Sequence, residues 1–361
     1  MTLFIALAIA LAVSALISVL IVVTRRFHGR FTYDSHIGVQ KLPRCPTPRV
    51  GSLAILGGAM AGGAVLAGQA QADLWYLLAA AVPAMVVGFL EDVTKRVGVK
   101  MRLVATFVSG LMFCLLSGYY IHRVDIPGAD LLLSVPLFAV LFTTFAVAGI
   151  AHAINIIDGV NGLSAGTALV ILGGFAMVAS QTGDGAMLGV CVVMAGAIGG
   201  FFLLNFPAGR LFMGDAGAYL IGLTLAGIAV ALPLRNAELS PLIGLLALAY
   251  PVVETLISAL RRTLRADTSP SQADRLHLHS LFYRSRARQL ANYLGEPRLR
   301  APLTSMAMWL LVMLSVWLMV LGAESSGLIL VGLALVAMVY LAIYRRVALL
   351  RPRDTRERQT A

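Results

Sequence analysis

The chain has 361 residues, 59% of them hydrophobic and 12% charged, with a net charge of +11 and a mean hydropathy of +0.87. Soluble domains carry about twice that charged fraction, so a water-soluble globule is excluded: too little polar surface exists to cover it. Binding to nucleic acid is a poor explanation of the positive charge, because the basic residues stand in short segments between apolar runs, as membrane topology requires.

A bilayer core takes about 20 apolar residues per helix. The first such run, residues 3–24, is followed by Arg25-Arg26. A cleaved signal has its charges first and a small-residue cleavage site after, so this run reads as an uncleaved span with its N-terminus outside. Ten more follow at 51–68, 74–91, 102–119, 132–150, 163–179, 185–204, 216–232, 240–260, 303–321 and 327–344. Pro83, Pro136 and Pro251 fall inside runs, which membrane helices tolerate. The runs do not alternate apolar and polar residues as barrel strands do. The expected fold is therefore all-α: a polytopic membrane protein of about 11 transmembrane helices, N-terminus periplasmic and C-terminus cytoplasmic.

Charge supports that topology. The inner loops 25–50, 92–101 (with Arg102), 151–162, 205–215 and 261–302, together with the tail, hold 26 of the 28 Lys and Arg residues. Only Arg123 and Arg235 fall outside, an asymmetry of the positive-inside kind. Residues 1–345 are expected to form one multi-spanning domain with these loops on its inner side, and 346–361 a basic cytoplasmic tail near anionic lipid. Cys45, Cys114 and Cys191 lie far apart and suggest neither a disulfide framework nor a metal site.

Acidic residues at a membrane boundary are costly and tend to be functional. Glu91-Asp92 closes the third run, Asp158 lies in Asn155-Ile156-Ile157-Asp158-Gly159-Val160-Asn161-Gly162, and Asp215 opens the eighth run in Phe212-Met213-Gly214-Asp215-Ala216-Gly217. Capping of helix starts would explain one of them. All of them on one aqueous side point to a hard divalent cation such as Mg²⁺, bound by carboxylates together with substrate phosphate. The loop 261–302 carries Asp274-Arg275-Leu276-His277-Leu278-His279, suited to phosphate or proton handling. Zinc is disfavoured there, with no Cys or third His nearby. Lys41, Arg44 and Arg49, threaded among Pro43, Pro46 and Pro48, offer a stiff basic edge for a phosphate, or simple positive-inside anchoring. Metal ligands, cations and histidines on one face are the parts of phosphoryl transfer. No Gly-x-x-x-x-Gly-Lys-Ser/Thr is present, which disfavours an ATP-driven pump. A site at the membrane boundary suits a lipid phosphate meeting a water-soluble phosphate donor.

Five blocks in order then make the chain recognisable: Pro48-Arg49-Val50-Gly51, Gly88-Phe89-Leu90-Glu91-Asp92, Asn155 to Leu163, Phe212 to Gly217, and Asp274 to His279. The chain resembles, over about residues 1–345, the polyprenyl-phosphate N-acetylhexosamine-1-phosphate transferase superfamily (WecA-like and MraY-like, glycosyltransferase family 4). The resemblance implies that a UDP-activated amino sugar gives its sugar-1-phosphate to undecaprenyl phosphate, with Mg²⁺ or Mn²⁺, releasing UMP. It implies Asp215 and Asp92 as metal ligands, with Asp92, Asp158 and Glu91 as the catalytic acids. It implies Asn155, Asn161, His277, His279, Arg275, Arg44 and Lys41 as substrate-binding residues. The implied location is the bacterial inner membrane, with the lipid and the nucleotide sugar as partners. Whether the chain forms a homodimer the residues leave open.

Departures from the pattern bear on donor choice: Glu91 where Asp is usual, Asn161 for Asp, His152 for Asn, Ser280 for the last His of the block and Ala218 for Ser. Absence of the tripled His block argues against the peptidoglycan branch and favours the WecA-like branch that starts O-antigen, capsule or similar surface glycans. The competing readings are an MraY-like phospho-MurNAc-pentapeptide transferase, a membrane transporter with Glu254 as the one acid well inside a run, and an inactive scaffold.

Overall fold

The computed structural model describes residues 1–33, 47–264 and 276–349. Helices in chain order are α1 (Thr2–Thr32), α2 (Ser52–Gly63), α3 (Gly68–Thr94), α4 (Val99–Ser117), α5 (Pro127–Leu133), α6 (Pro136–Ile157), α7 (Leu163–Gln181) and α8 (Gly185–Asn205). They continue as α9 (Gly214–Arg235), α10 (Ile243–Ala247), α11 (Ala249–Thr263), α12 (Leu278–Phe282), α13 (Arg288–Tyr293), α14 (Arg300–Leu321) and α15 (Ser326–Ala348). The all-α expectation holds.

Among the described residues, nine helices are long and apolar enough to cross a membrane, against eleven expected runs. Both differences have local causes. The run 51–68 yields only the 12-residue α2 before a turn leads into α3. The run 240–260 breaks at Leu248, between the 5-residue α10 and the 15-residue α11. Pro251 explains the break: it has no N–H for the Ala247 carbonyl and its ring clashes with that group.

Large apolar side chains such as Leu115, Leu137, Leu310 and Val331 are exposed around the outside, 65% or more in each case, as a lipid-facing surface requires. The interior is built differently. From Gly214 to Leu232 every residue of α9 except Ala229 is buried, so α9 is the central helix. In lipid, helices gain little from apolar burial against one another and associate through close packing of small residues. A Cβ on Gly58 would come within 2.6 Å of the Ala10 carbonyl oxygen, and one on Gly200 within 2.4 Å of the Leu11 oxygen. Backbones of α1, α2 and α8 are therefore in direct contact, with Ser14 Oγ donating to the Ala197 carbonyl at 2.6 Å.

The helices alternate in direction, which gathers chemically different residues at the two ends of the bundle. One end joins the C-termini of α1, α3 and α6 to the N-terminus of α9. At the opposite end Arg235 donates to both Asp184 oxygens (2.7 and 3.0 Å) and to Tyr119 Oη (3.0 Å), with Asp73 at 3.5 Å. Asn236 adds a third hydrogen bond to Asp184 at 3.1 Å. This polar knot ties α3, α8 and α9 together. Burial works against ionisation of Asp184, but the hydrogen bonds from Arg235, Met187 N–H and Asn236 outweigh it and hold its carboxyl below the usual range.

Candidate active site

The site lies where three loop segments are stitched to the start of α9. Residues 48–52 run beside 212–213: Phe212 N–H donates to the Pro48 carbonyl (2.8 Å), Gly51 N–H to that of Phe212 (2.9 Å) and Ser52 N–H to that of Met213 (3.1 Å). Arg49 N–H also donates to the Thr32 carbonyl at 2.9 Å, tying in the end of α1. The first and fourth sequence blocks are thus one structural unit.

Asp92 joins the second block to them. At the end of α3 its carboxylate is fully buried and accepts Asp215 N–H (2.9 Å) and Ala216 N–H (3.1 Å). Helix starts leave such N–H groups without partners, so Asp92 caps α9 from another helix. Gly88, one turn earlier on the same face of α3, makes the approach feasible: a Cβ there would sit 2.6 Å from Ala216 N. Gly214, at φ +78°, turns the chain into α9 and would drive a Cβ to 2.4 Å from Asp92 Oδ2.

Two arginines flank the acids. Arg102 donates to Asp215 Oδ2 at 2.8 Å; Arg49 donates to Asp215 Oδ1 at 3.2 Å and lies 3.5 Å from Asp92 Oδ1. Asp158 follows the last turn of α6 and lies within electrostatic reach of Arg49, Asp215 and Asp92. Burial raises its carboxyl to about 7, the neighbouring Asp215 and Asp92 charges add to the rise, and Arg49 opposes it.

Other expected residues divide by geometry. Glu91 is half-buried and its Oε2 accepts Val97 N–H at 2.8 Å, so it braces the turn after α3. Asn155 is on the last turn of α6, its carbonyl accepting Asp158 N–H at 3.3 Å. The Asn161 carbonyl accepts Ser305 Oγ at 2.7 Å, and its side chain covers Gly209. His152 Nε2 lies 2.9 Å from Thr106 Oγ1 and its ring meets Tyr219 edge-on at 5.4 Å, behind Asp215. His277 and His279 are buried and stacked, with centroids 5.4 Å apart and an interplanar angle of 4°. A Cβ on Gly159 would lie 2.8 Å from His279 Nε2, so the fifth block rests on the loop that carries Asp158. Lys41, Arg44 and Arg275, as well as Cys45, Asp274 and the tail beyond Leu349, lie outside the described residues.

Three residues escaped the sequence reading. Arg102 entered only as a topological charge, although it grips Asp215. Asn205 accepts Gly162 N–H at 2.7 Å and donates to the Leu211 carbonyl at 2.8 Å, clamping the third block to the fourth. A polar side chain closing the apolar run of α8 was its signal. Glu254, read only as an acid inside a run, binds His277 Nδ1 at 3.0 Å.

Among the described residues no three His, Cys, Asp or Glu side chains cluster with metal spacing. The hard carboxylate oxygens still fit Mg²⁺ by chemistry, since that ion is commonly held by one or two carboxylates, with phosphate and water completing its shell.

Residues 74–233 match Glycosyl transferase family 4. The chain is 33% identical over 269 residues to the decaprenyl-phosphate N-acetylglucosaminephosphotransferase of Mycolicibacterium smegmatis, covering 65% of this chain and 64% of that protein. It is 31% identical over 204 residues to an undecaprenyl-phosphate alpha-N-acetylglucosaminyl 1-phosphate transferase of Yersinia pestis, covering 55% of each. It is 30% identical over 198 residues to a phospho-N-acetylmuramoyl-pentapeptide-transferase of Lactobacillus delbrueckii subsp. bulgaricus, covering 52% of this chain and 62% of that protein. The matched regions span less than two thirds of these relatives. These matches bear out the superfamily resemblance, and the matched residues 74–233 hold the second, third and fourth blocks.

Proposed function

We propose that this chain transfers a sugar-1-phosphate, of the N-acetylhexosamine type, from a UDP-sugar to undecaprenyl phosphate at the cytoplasmic face of a bacterial inner membrane. The observation that carries the reading is the grip of Asp92 on the start of α9. It sets Asp215 between Arg49 and Arg102, beside the Asp158 loop on which His279 rests.

The reaction is an in-line displacement. An oxygen of the lipid phosphate attacks the sugar-side phosphorus of the donor, and the bond to the UMP oxygen breaks. A phosphate monoester is mostly ionised at neutral pH, so the nucleophile needs orientation more than deprotonation. In this reading Arg49 and Arg102 neutralise phosphate oxygens, and the buried His277–His279 pair borders the donor diphosphate. Asp92 has no exposed surface, so its part is to hold α9 and Asp215 in place; Glu91 and Asp158 are the accessible acids. Mg²⁺ or Mn²⁺, held by Asp215 with Asp158 nearby, would supply charge neutralisation at the diphosphate. Against the transporter reading, Glu254 is engaged by His277 and by Leu278 N–H at the end of the bundle that holds the other acids.

Purified protein given undecaprenyl phosphate, Mg²⁺ and UDP-GlcNAc should release UMP. A panel of UDP-amino sugars, including UDP-MurNAc-pentapeptide, names the donor. The last is in the panel because a relative acting on phospho-N-acetylmuramoyl-pentapeptide covers half of this chain. UMP from none of them would overturn the proposal.

A further inference from the structure

Glu254 stands on α11, one turn past the Pro251 break, and is 1% exposed. Its Oε1 lies 3.0 Å from His277 Nδ1, and its two oxygens accept Leu278 N–H at 3.0 and 3.2 Å. A carboxylate already accepting a backbone N–H on both oxygens faces the imidazole as an acceptor, so the ring carries its hydrogen on Nδ1 and leaves Nε2 for another partner. Arg261, further along α11, donates to the Leu276 carbonyl at 3.3 Å and to Tyr344 Oη at 2.8 Å. Thus α11 holds residues 276–278 at two points. The fixed His277 ring stacks on His279, which fills the space over Gly159. A change at Glu254 reaches the Asp158 loop through two stacked rings.

We propose that Glu254 is a positioning residue that fixes the tautomer and orientation of His277 and thereby sets the His277–His279 pair against the donor side of the site. This rests on the transferase reading for its kinetic consequence and on the geometry alone for its structural one. A buried carboxylate that orients a ligand-binding imidazole contributes through that imidazole. Loss of Glu254 should therefore weaken the nucleotide sugar and spare the lipid.

The test uses the full chain in detergent micelles. E254Q, close to isosteric, should raise KM for the UDP-sugar roughly tenfold and leave KM for undecaprenyl phosphate within about twofold. E254Q/H277A should be no worse than H277A, because both changes act on one imidazole. An E254Q effect confined to kcat, or one that multiplies with that of H277A, would overturn the proposal. If E254Q does not fold, E254D, which keeps the charge but shortens the reach, serves the same comparison. ¹⁵N-histidine NMR, assigned with H277A, should show His277 protonated at Nδ1 and a changed signal in E254Q. An Nε2-protonated His277 in the wild type would overturn the proposal even if no UMP is released, whereas absent turnover with the expected NMR signature would count against the transferase reading alone.

Discussion

Gly88→Ala is a one-carbon test of how the site is assembled. The added Cβ would lie 2.6 Å from Ala216 N, 2.8 Å from Ala216 Cα and 2.9 Å from the Asp215 carbonyl carbon. Ordinary contact begins at 3.4 Å, so α3 and α9 must part by about 0.8 Å. The neighbours are backbone atoms in the first turn of a buried helix and cannot swing aside as a side chain would. The Asp92 hydrogen bonds of 2.9 and 3.1 Å would stretch to about 3.7–3.9 Å, beyond useful range. Overpacking costs about 1–3 kcal/mol, and each weakened bond to the carboxylate up to about 1.5–3 kcal/mol before relaxation. A reacting group displaced by nearly 1 Å loses roughly 100-fold in rate. UMP release should thus fall by about two orders of magnitude, while the melting temperature in micelles drops by several degrees. Gly149→Ala is the control: a Cβ there meets nothing within 4 Å, so both readouts should be unchanged. A G88A protein with wild-type turnover and stability would refute the claim that this backbone contact sets the position of Asp215.

Asp215→Asn should abolish UMP release and leave the melting temperature within a few degrees of wild type; near-normal turnover would remove Asp215 from the site. Arg235→Gln leaves the nearly buried Asp184 and Asp73 without their cation and should cost roughly 3 kcal/mol of stability, read by thermal melting, with KM for both substrates unchanged. Asp158 has its folded-state pKa raised to about 7, so the folded chain binds that proton more tightly than the unfolded chain. Its contribution to stability is full below the ordinary aspartate range and falls as pH rises toward about 7. Melting measured from pH 5 to 8 should therefore slope downward, and less steeply in Asp158→Asn; equal slopes would contradict a raised Asp158 carboxyl.

The helical class and the shared face of the acids were legible because apolar run length and charge placement are local properties of the sequence. Asp92, Asp158 and Asp215 stood out as costly residues at the ends of apolar runs. What Asp92 does was not legible, since its partners lie 123 and 124 positions away. Arg102 looked like any interfacial cation, and only the fold aims it at Asp215. Pro251 signals a bend in the ninth run, but hydropathy ignores the missing N–H, so the split into two short helices at Leu248 was not legible. The 12-residue α2 escaped for a similar reason: an apolar stretch states that a segment is buried, not how far it stays helical.

The capping of α9 by Asp92 bears on how essential positions in this chain should be assigned. A side chain with no exposed surface can score as indispensable in a mutational screen without ever meeting a substrate. Its loss would be felt at Asp215, and adding a second substitution at 215 would do little further harm. Pairwise epistasis, rather than the severity of single variants, is the measure that separates a residue that performs the transfer from one that keeps another in register.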